Sequence, residues 1–338
     1  MVQSPTVRTI VAVIGLLGAC GGQYRGGSTA PATPSHPAAV EPAPEVRGVE
    51  AAALPYAIVD ARSGRAVAEA DFWIALRGAR AVCAGEDHPD PHHHWAQLAI
   101  VRHLSDGSAG PATPRALGFE MLQTPFQGAV TDYQGKIIDE AALLSRTGWS
   151  DRWGYDFALY RPMFERARDA GWTLLALNAP RELVKRVSRA GLAKLTAAER
   201  AQLPDLVLDD AKHKAWFEGI MAGMGDHGHA HAPAAPGAAP PPAMPTPENL
   251  YAAQVLWDEA MADGARRWLG LERSGAIVIL AGNGHCHDSA IVGRLLRRGV
   301  TGVVSVRPVI DDGEGNVAAA LLERNHDYLF VMTRPTAP

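Results

Sequence analysis

The sequence predicts an α/β fold: a mostly parallel central sheet with helices on both faces and a ligand crevice at the C-terminal ends of the strands. Three observations lead to it. Short apolar runs such as "ARAVCAG" and "GAIVILAG" read as buried strands. Longer amphipathic stretches lie between them, several closed by glycine as helices are. Polar residues gather directly after the apolar runs, where open parallel sheets bind their ligands.

The chain of 338 residues opens with an export signal over residues 1–19. Arg8 supplies its positive charge, and "IVAVIGLLGA" is an apolar run too short for a permanent membrane span. Small residues before a cysteine, "LGAC", suit a bacterial lipoprotein signal peptidase, so Cys20 is the expected site of lipidation. Acyl chains there would hold the protein at a membrane without any spanning helix. Residues 20–50 are rich in Pro, Ala and Gly and read as a tether. Residues 51–338 form the α/β domain, interrupted by a His- and Pro-rich loop at 224–247. In that loop His227, His229 and His231 read as polar loop residues, with metal scavenging as the alternative.

Within the domain, "YAIVDARSGRAV" alternates around Ser63-Gly64 and predicts an edge hairpin. A strand follows over 79–85, then a helix from Pro91 to about His103, since proline suits a first helical turn and Asp90 can cap it. Strand 116–121 precedes the helix "YRPMFERARDAG", which leads into the strand "WTLLALNAP" and the helix "PRELVKRVSRAG". A long helix is expected over 249–269, a strand over 275–282, and two final strands, "GVVSVRP" and "YLFVMT".

Four strand ends carry the candidate site. The first is followed by Gly85-Glu86-Asp87-His88, the second bears Glu120, the third ends in Asn178, and the fourth runs into "GNGHCH". Glu86, His88, Glu120, Asn178 and His285 are therefore expected to share one volume. His88, Glu120 and His285, joined by His287, offer the donors that zinc or manganese takes. The same groups suit acid–base work around a substrate. Most of the His92-His93-His94 run is expected to face solvent, and the free N–H groups at that helix start suit an anion.

In "GEDHPDPHHHWAQ", "GFEM", "YRPMFERARDAGWTLLALNAPRELVKRVSRAG", "AAQVLWDEAMA" and "LAGNGH" the chain resembles the ChaN family of bacterial haem-binding lipoproteins, within the wider group that holds the Tiki proteases and the erythromycin esterases. The resemblance implies haem as cofactor, iron or haem uptake at the outer membrane, and dimers enclosing the porphyrin. It places Glu86, His88 and His285 in the site, with Glu120 as the strand acid. It also implies a tyrosine on the haem iron, for which Tyr155, Tyr160 and Tyr251 are the candidates. Cys286 and His287 depart from the family pattern and favour a metal over a porphyrin.

Two functions follow. One is a lipid-anchored haem-binding protein of the cell envelope. The other is a metal-dependent esterase or peptidase in which Glu86 serves as base to a water on a metal held by His88, Glu120 and His285. A net charge of −4 without any basic stripe argues against nucleic acid as a partner. Trp95, Trp149, Trp153, Trp172 and Trp257 each read as core, with a porphyrin slot as the alternative. Cys83 and Cys286 read as two buried thiols, although export would also permit a disulfide.

Overall fold

The computed structural model describes residues 48–106, 113–225 and 244–334. The export signal, Cys20, most of the tether, and His227, His229 and His231 lie outside the described residues.

Among the described residues eight strands form one sheet: β1 (Tyr56–Asp60), β2 (Ala66–Val67), β3 (Ala81–Ala84), β4 (Arg115–Gln123), β5 (Thr173–Asn178), β6 (Ala276–Leu280), β7 (Val303–Asp311) and β8 (Tyr328–Thr333). Their order is β2-β1-β8-β7-β3-β6-β4-β5. From β8 to β5 every pairing is parallel, and only β1, antiparallel to both β8 and β2, runs against the rest. β3 and β6 are buried along their whole length, the pattern of strands covered on both faces.

Side-chain alternation sorts that cover. Val82, Leu117, Phe119, Val278 and Leu280 point into one core, with Phe72, Leu98 and Phe164 from the helices Glu69–Gly78, Pro91–Asp106 and Arg161–Asp169. Ala81, Cys83, Ala116, Ile277 and Ile279 point into the other, against Met261, Ala265 and Leu269 of the helix Pro247–Leu271 and Leu295 of the helix Ile291–Arg297. Helices thus lie on both faces, as the sequence predicts. The long helix starts at Pro247, where Thr246 accepts the Asn249 N–H. Asp90 does the same for the helix Pro91–Asp106, accepting from His92 N at 2.8 Å. No helix among the described residues is long and apolar enough to cross a membrane.

The expectation of two free thiols is corrected: Cys83 and Cys286 form a disulfide, with Cα atoms 5.3 Å apart and 203 residues between them in sequence. Both side chains belong to the same core cluster, so β3 is stapled to the loop that follows β6. Closing so long a loop removes entropy from the unfolded chain. Replacing both cysteines by alanine should therefore lower unfolding free energy by about 2–5 kcal/mol. Chemical denaturation with and without reductant measures this, and an unchanged midpoint would contradict it.

Candidate functional site

Strand register sets the site. Ala84 of β3 pairs with Leu280 of β6, which pairs with Phe119 of β4. Continuing past that row, β3 reaches Glu86, β6 reaches Gly282 and β4 reaches Glu120 at one edge of the sheet. The two loops are laced together: Asn283 N–H donates to the Glu86 carbonyl at 2.8 Å, and Asn283 Nδ2 donates to Asp87 Oδ1 at 3.0 Å. This approach requires glycines. A Cβ on Gly85 would stand 2.1 Å from Asn283 Oδ1, and one on Gly282 would stand 3.0 Å from the His88 ring. β4 is irregular between Phe119 and Gln123, where its pairing with β5 shifts.

Two buried carboxylate–imidazole pairs form the floor. Glu86 Oε1 accepts from His88 Nδ1 at 2.6 Å and from the Tyr160 hydroxyl at 2.9 Å, and His94 Nδ1 lies 3.3 Å from Oε2. Glu120 accepts the Gly282 N–H at 2.6 Å through Oε2, while its Oε1 lies 3.3 Å from His285 Nε2. His285 Nδ1 in turn meets Asp258 Oδ1 at 2.6 Å. Asp258 is backed by His213 Nε2 at 3.1 Å and Arg294 Nη2 at 3.7 Å.

These contacts make the floor a lattice of charges. Burial opposes the His285 cation, but Glu120 and Asp258 outweigh it and hold the ring up to about 10. Burial likewise opposes charge on His88, and the hydrogen bond to Glu86 with the nearby Glu120 carboxylate raises it all the same. Glu86 and Glu120 are pulled down, against burial, mainly by His94 and His285 respectively. Asp258 is pulled far down by Arg294 and His285, again against burial.

Above this floor opens a cleft of about 490 Å³. Glu86, His88, Glu120 and His285 all line it, so four of the five expected side chains converge. Asn178 stands aside: its Nδ2 donates to the Glu120 carbonyl at 2.8 Å, and it lines a smaller neighbouring cavity. His287 does not line the cleft; its Nδ1 meets Ser289 Oγ at 3.1 Å, and its ring faces His213, Trp216 and His326. Among the described residues no group of three or more His, Cys, Asp or Glu side chains is arranged to hold a metal ion. The expected set of His88, Glu120, His285 and His287 is therefore not assembled.

One further expectation is corrected. His93 and His94 are 3% and 0% exposed rather than solvated, because the start of their helix turns inward beneath the end of β3. His93 Nδ1 accepts the Asp87 N–H at 2.8 Å, and His94 Nε2 lies 2.8 Å from the His88 carbonyl. None of the three candidate tyrosines is among the cleft-lining residues, but the Tyr155 ring packs 5.2 Å from that of His88, which is. The Tyr160 hydroxyl is spent on Glu86, and Tyr251 packs beside His213. Burial raises all three phenols, with Glu86 adding to the effect at Tyr155 and Tyr160, and Tyr251 reaches about 12.

Sequence reasoning missed several participants. Asp258 lies four residues after Gln254 on one face of the long helix and beside the equally buried Glu259. His326, Arg307, Arg334, Trp216 and Ile220 also line the cleft. No spacing in the chain links them to the strand-end residues.

A parallel sheet with a charged, histidine-rich cleft at its C-terminal edge defines a class of ligand-binding α/β proteins. Within that class the chain belongs to the family described as haem-binding uptake, Tiki superfamily, ChaN, whose model matches residues 72–295. Among solved structures it is similar to ChaN of Campylobacter jejuni, described with cofacial haem binding. That match has 15% identity and a TM-score of 0.59, covering 82% of this chain and 96% of the other. It is also similar, at 12% identity and a TM-score of 0.42, to a variant of the erythromycin esterase EreC in its open conformation, covering 83% of this chain and 84% of that one. No curated protein sequence matches.

The floor sets a pH window. A histidine raised from 6.5 to about 10 contributes stability in full below its ordinary value and loses it as pH rises through about 10. The depressed Glu86, Glu120 and Asp258 contribute above the ordinary carboxylate range and lose it as pH falls. Thermal midpoints should therefore decline from neutral pH towards pH 10 and again in acid. Asp258→Asn should cost about 3–5 kcal/mol at neutral pH by breaking a buried pair, and should flatten the alkaline decline. Identical pH profiles for the variant and the parent would contradict this.

Proposed function

We propose that the protein binds haem in this cleft. The observation that carries the reading is the composition of the cleft wall. Haem is a flat apolar macrocycle with two carboxylates and an iron in need of an axial ligand. The wall supplies Trp216, Ile220, Trp257 and Val309 as apolar surface, Arg307 and Arg334 as cations, and unpaired imidazole nitrogens on His93 and His326. Volume and chemistry both suit a small cofactor of this kind. The family of the chain, and the cofacial haem binding of its Campylobacter jejuni relative, support the same ligand.

The setting belongs to the proposal too. The sequence before the domain favours export and a lipid anchor on Cys20 at the outer membrane, with haem or iron uptake as the purpose and a homodimer closing over the porphyrin. The family resemblance implies phenolate ligation; the Tyr160 hydroxyl is committed to Glu86 and Tyr251 is turned to His213, whereas the Tyr155 ring lies 5.2 Å from that of cleft-lining His88.

One observation favours a second reading. The two imidazole–carboxylate pairs face a single volume, and such pairs are able to polarise a carbonyl and move a proton. This would make the protein an ester or amide hydrolase that works without the assembled metal site expected from the sequence.

Hemin titration followed by absorbance separates the two. The haem reading expects saturation at stoichiometric hemin. It also expects Arg334→Ala, at the exposed rim, to weaken binding roughly fivefold by loss of a carboxylate partner. An unchanged spectrum, together with ester hydrolysis that disappears in Glu120→Gln, would overturn it in favour of hydrolysis. For the anchor, Cys20→Ser should move the protein from the membrane fraction to the soluble one, and continued membrane residence would contradict lipidation there.

A further inference from the structure

Much of the cleft wall belongs to the sheet and the segments that leave it. Trp216, Gly219 and Ile220 come instead from one helix, Ala211–Gly225. That helix is weak by itself, because Gly219 and Gly223 lie inside it and each costs about 1 kcal/mol against alanine. Its place is therefore set by what it touches. The contacts run along one stripe of His213, Trp216, Phe217 and Ile220, spaced three and four apart. Phe217 packs with Tyr251 and Val255 of the long helix. Lys212 pairs with Asp288, but the lysine side chain is 60% exposed and such a pair holds little.

His213 is the polar member of the stripe, and it is fully buried. Its backbone N–H donates to Asp210 Oδ1 at 3.0 Å at the helix start. On the ring, Nδ1 lies 3.2 Å from Arg294 Nη2 and 3.3 Å from the Tyr251 hydroxyl. A guanidinium can only donate, so Nδ1 is the accepting lone pair and the ring hydrogen sits on Nε2. Nε2 faces Asp258 Oδ2 at 3.1 Å. The other oxygen of Asp258 meets His285 Nδ1 at 2.6 Å. One carboxylate thus carries an imidazole of the cleft floor on one oxygen and the anchor of the wall helix on the other. Trp216 stacks on the His213 ring at 5.4 Å between centroids, and Ile220 stands one turn further along the same face.

We propose that His213 is a positioning residue that fastens the wall helix to the charged floor, and so sets how closely Trp216 and Ile220 close on the ligand. The inference rests on the haem reading for the identity of that ligand, whereas the fastening itself does not. His213 is not among the cleft-lining residues and acts only through its neighbours. A neutral imidazole that accepts at one end and donates at the other can be replaced by an amide, which does both. Leucine does neither, and leaves Asp258 and Arg294 each short of a partner.

The test compares the purified protein with His213→Leu, His213→Gln, Trp216→Ala and the variant carrying both His213→Leu and Trp216→Ala. Amide hydrogen exchange is read over residues 211–225, and hemin binding and release are followed by absorbance. His213→Leu should speed exchange over that helix and weaken hemin about tenfold, the loss of one buried hydrogen bond. His213→Gln should stay close to the parent in both. In the Trp216→Ala background His213→Leu should add almost nothing to the loss of hemin, because the two act through one contact. Unchanged exchange in His213→Leu would overturn the assignment. So would a tenfold loss that persists without Trp216, since His213 would then act through Asp258 and His285 instead. Should His213→Leu fail to fold by circular dichroism, His213→Asn replaces it, its shorter amide reaching only one of the two partners, and exchange there equal to the parent overturns the proposal. A parent that takes up no hemin overturns the haem reading, and the exchange pattern alone then decides the fastening.

Discussion

The parallel register of β3, β6 and β4 is the constraint on which the site depends. Pairing of Ala84, Leu280 and Phe119 in one row fixes where each chain leaves the sheet. Everything polar in the cleft floor is a consequence of that row. Glu86 and Gly282 each stand two residues beyond it, and Glu120 one. A slip of one residue in any of the three would turn a carboxylate into a core and an apolar side chain into the cleft. The disulfide between Cys83 and Cys286 acts on the same point, since it ties β3 to the residue that follows His285.

The register alone would not make the charges stable. Six ionisable groups, Glu86, His88, Glu120, Asp258, His285 and Arg294, sit almost without water, and each depends on the others. Removing one leaves an opposite charge stranded, which is why such lattices are sensitive to single substitutions. It also explains how one edge of the sheet supports two kinds of chemistry. The floor is polar and charged, whereas the wall above it sets apolar and aromatic side chains among Arg307, Arg334 and the acids Asp87, Asp90, Asp312 and Glu323. Haem binding draws on the wall, while hydrolysis would draw on the floor.

Much of this was legible in the sequence because a parallel sheet writes its ligand edge directly after its apolar runs. Glu86, His88, Glu120 and His285 all follow that rule. The alternation of runs gave the sheet and both helical layers for the same reason. Other features carried no such local sign. Asp258 lies inside a helix next to Glu259, where a pair of acids looks like a solvated position. His93 and His94 looked solvated because a polar triplet beside two prolines gives no hint that the helix start folds under β3. The disulfide joins residues 203 apart, and two cysteines at that separation fit thiols equally well. The helix Ala211–Gly225, which brings Trp216 and Ile220 to the cleft, borders a Pro- and His-rich segment that masks its pattern. His326 follows a short helix near the C-terminus, and only the fold carries it to the others.

The most direct measurement is the position of the iron in crystals grown with hemin, located by its anomalous scattering. The account expects the iron in the cleft at the C-terminal edge of the sheet, with the porphyrin against Trp216 and Trp257. Iron bound on any surface away from that cleft would contradict it.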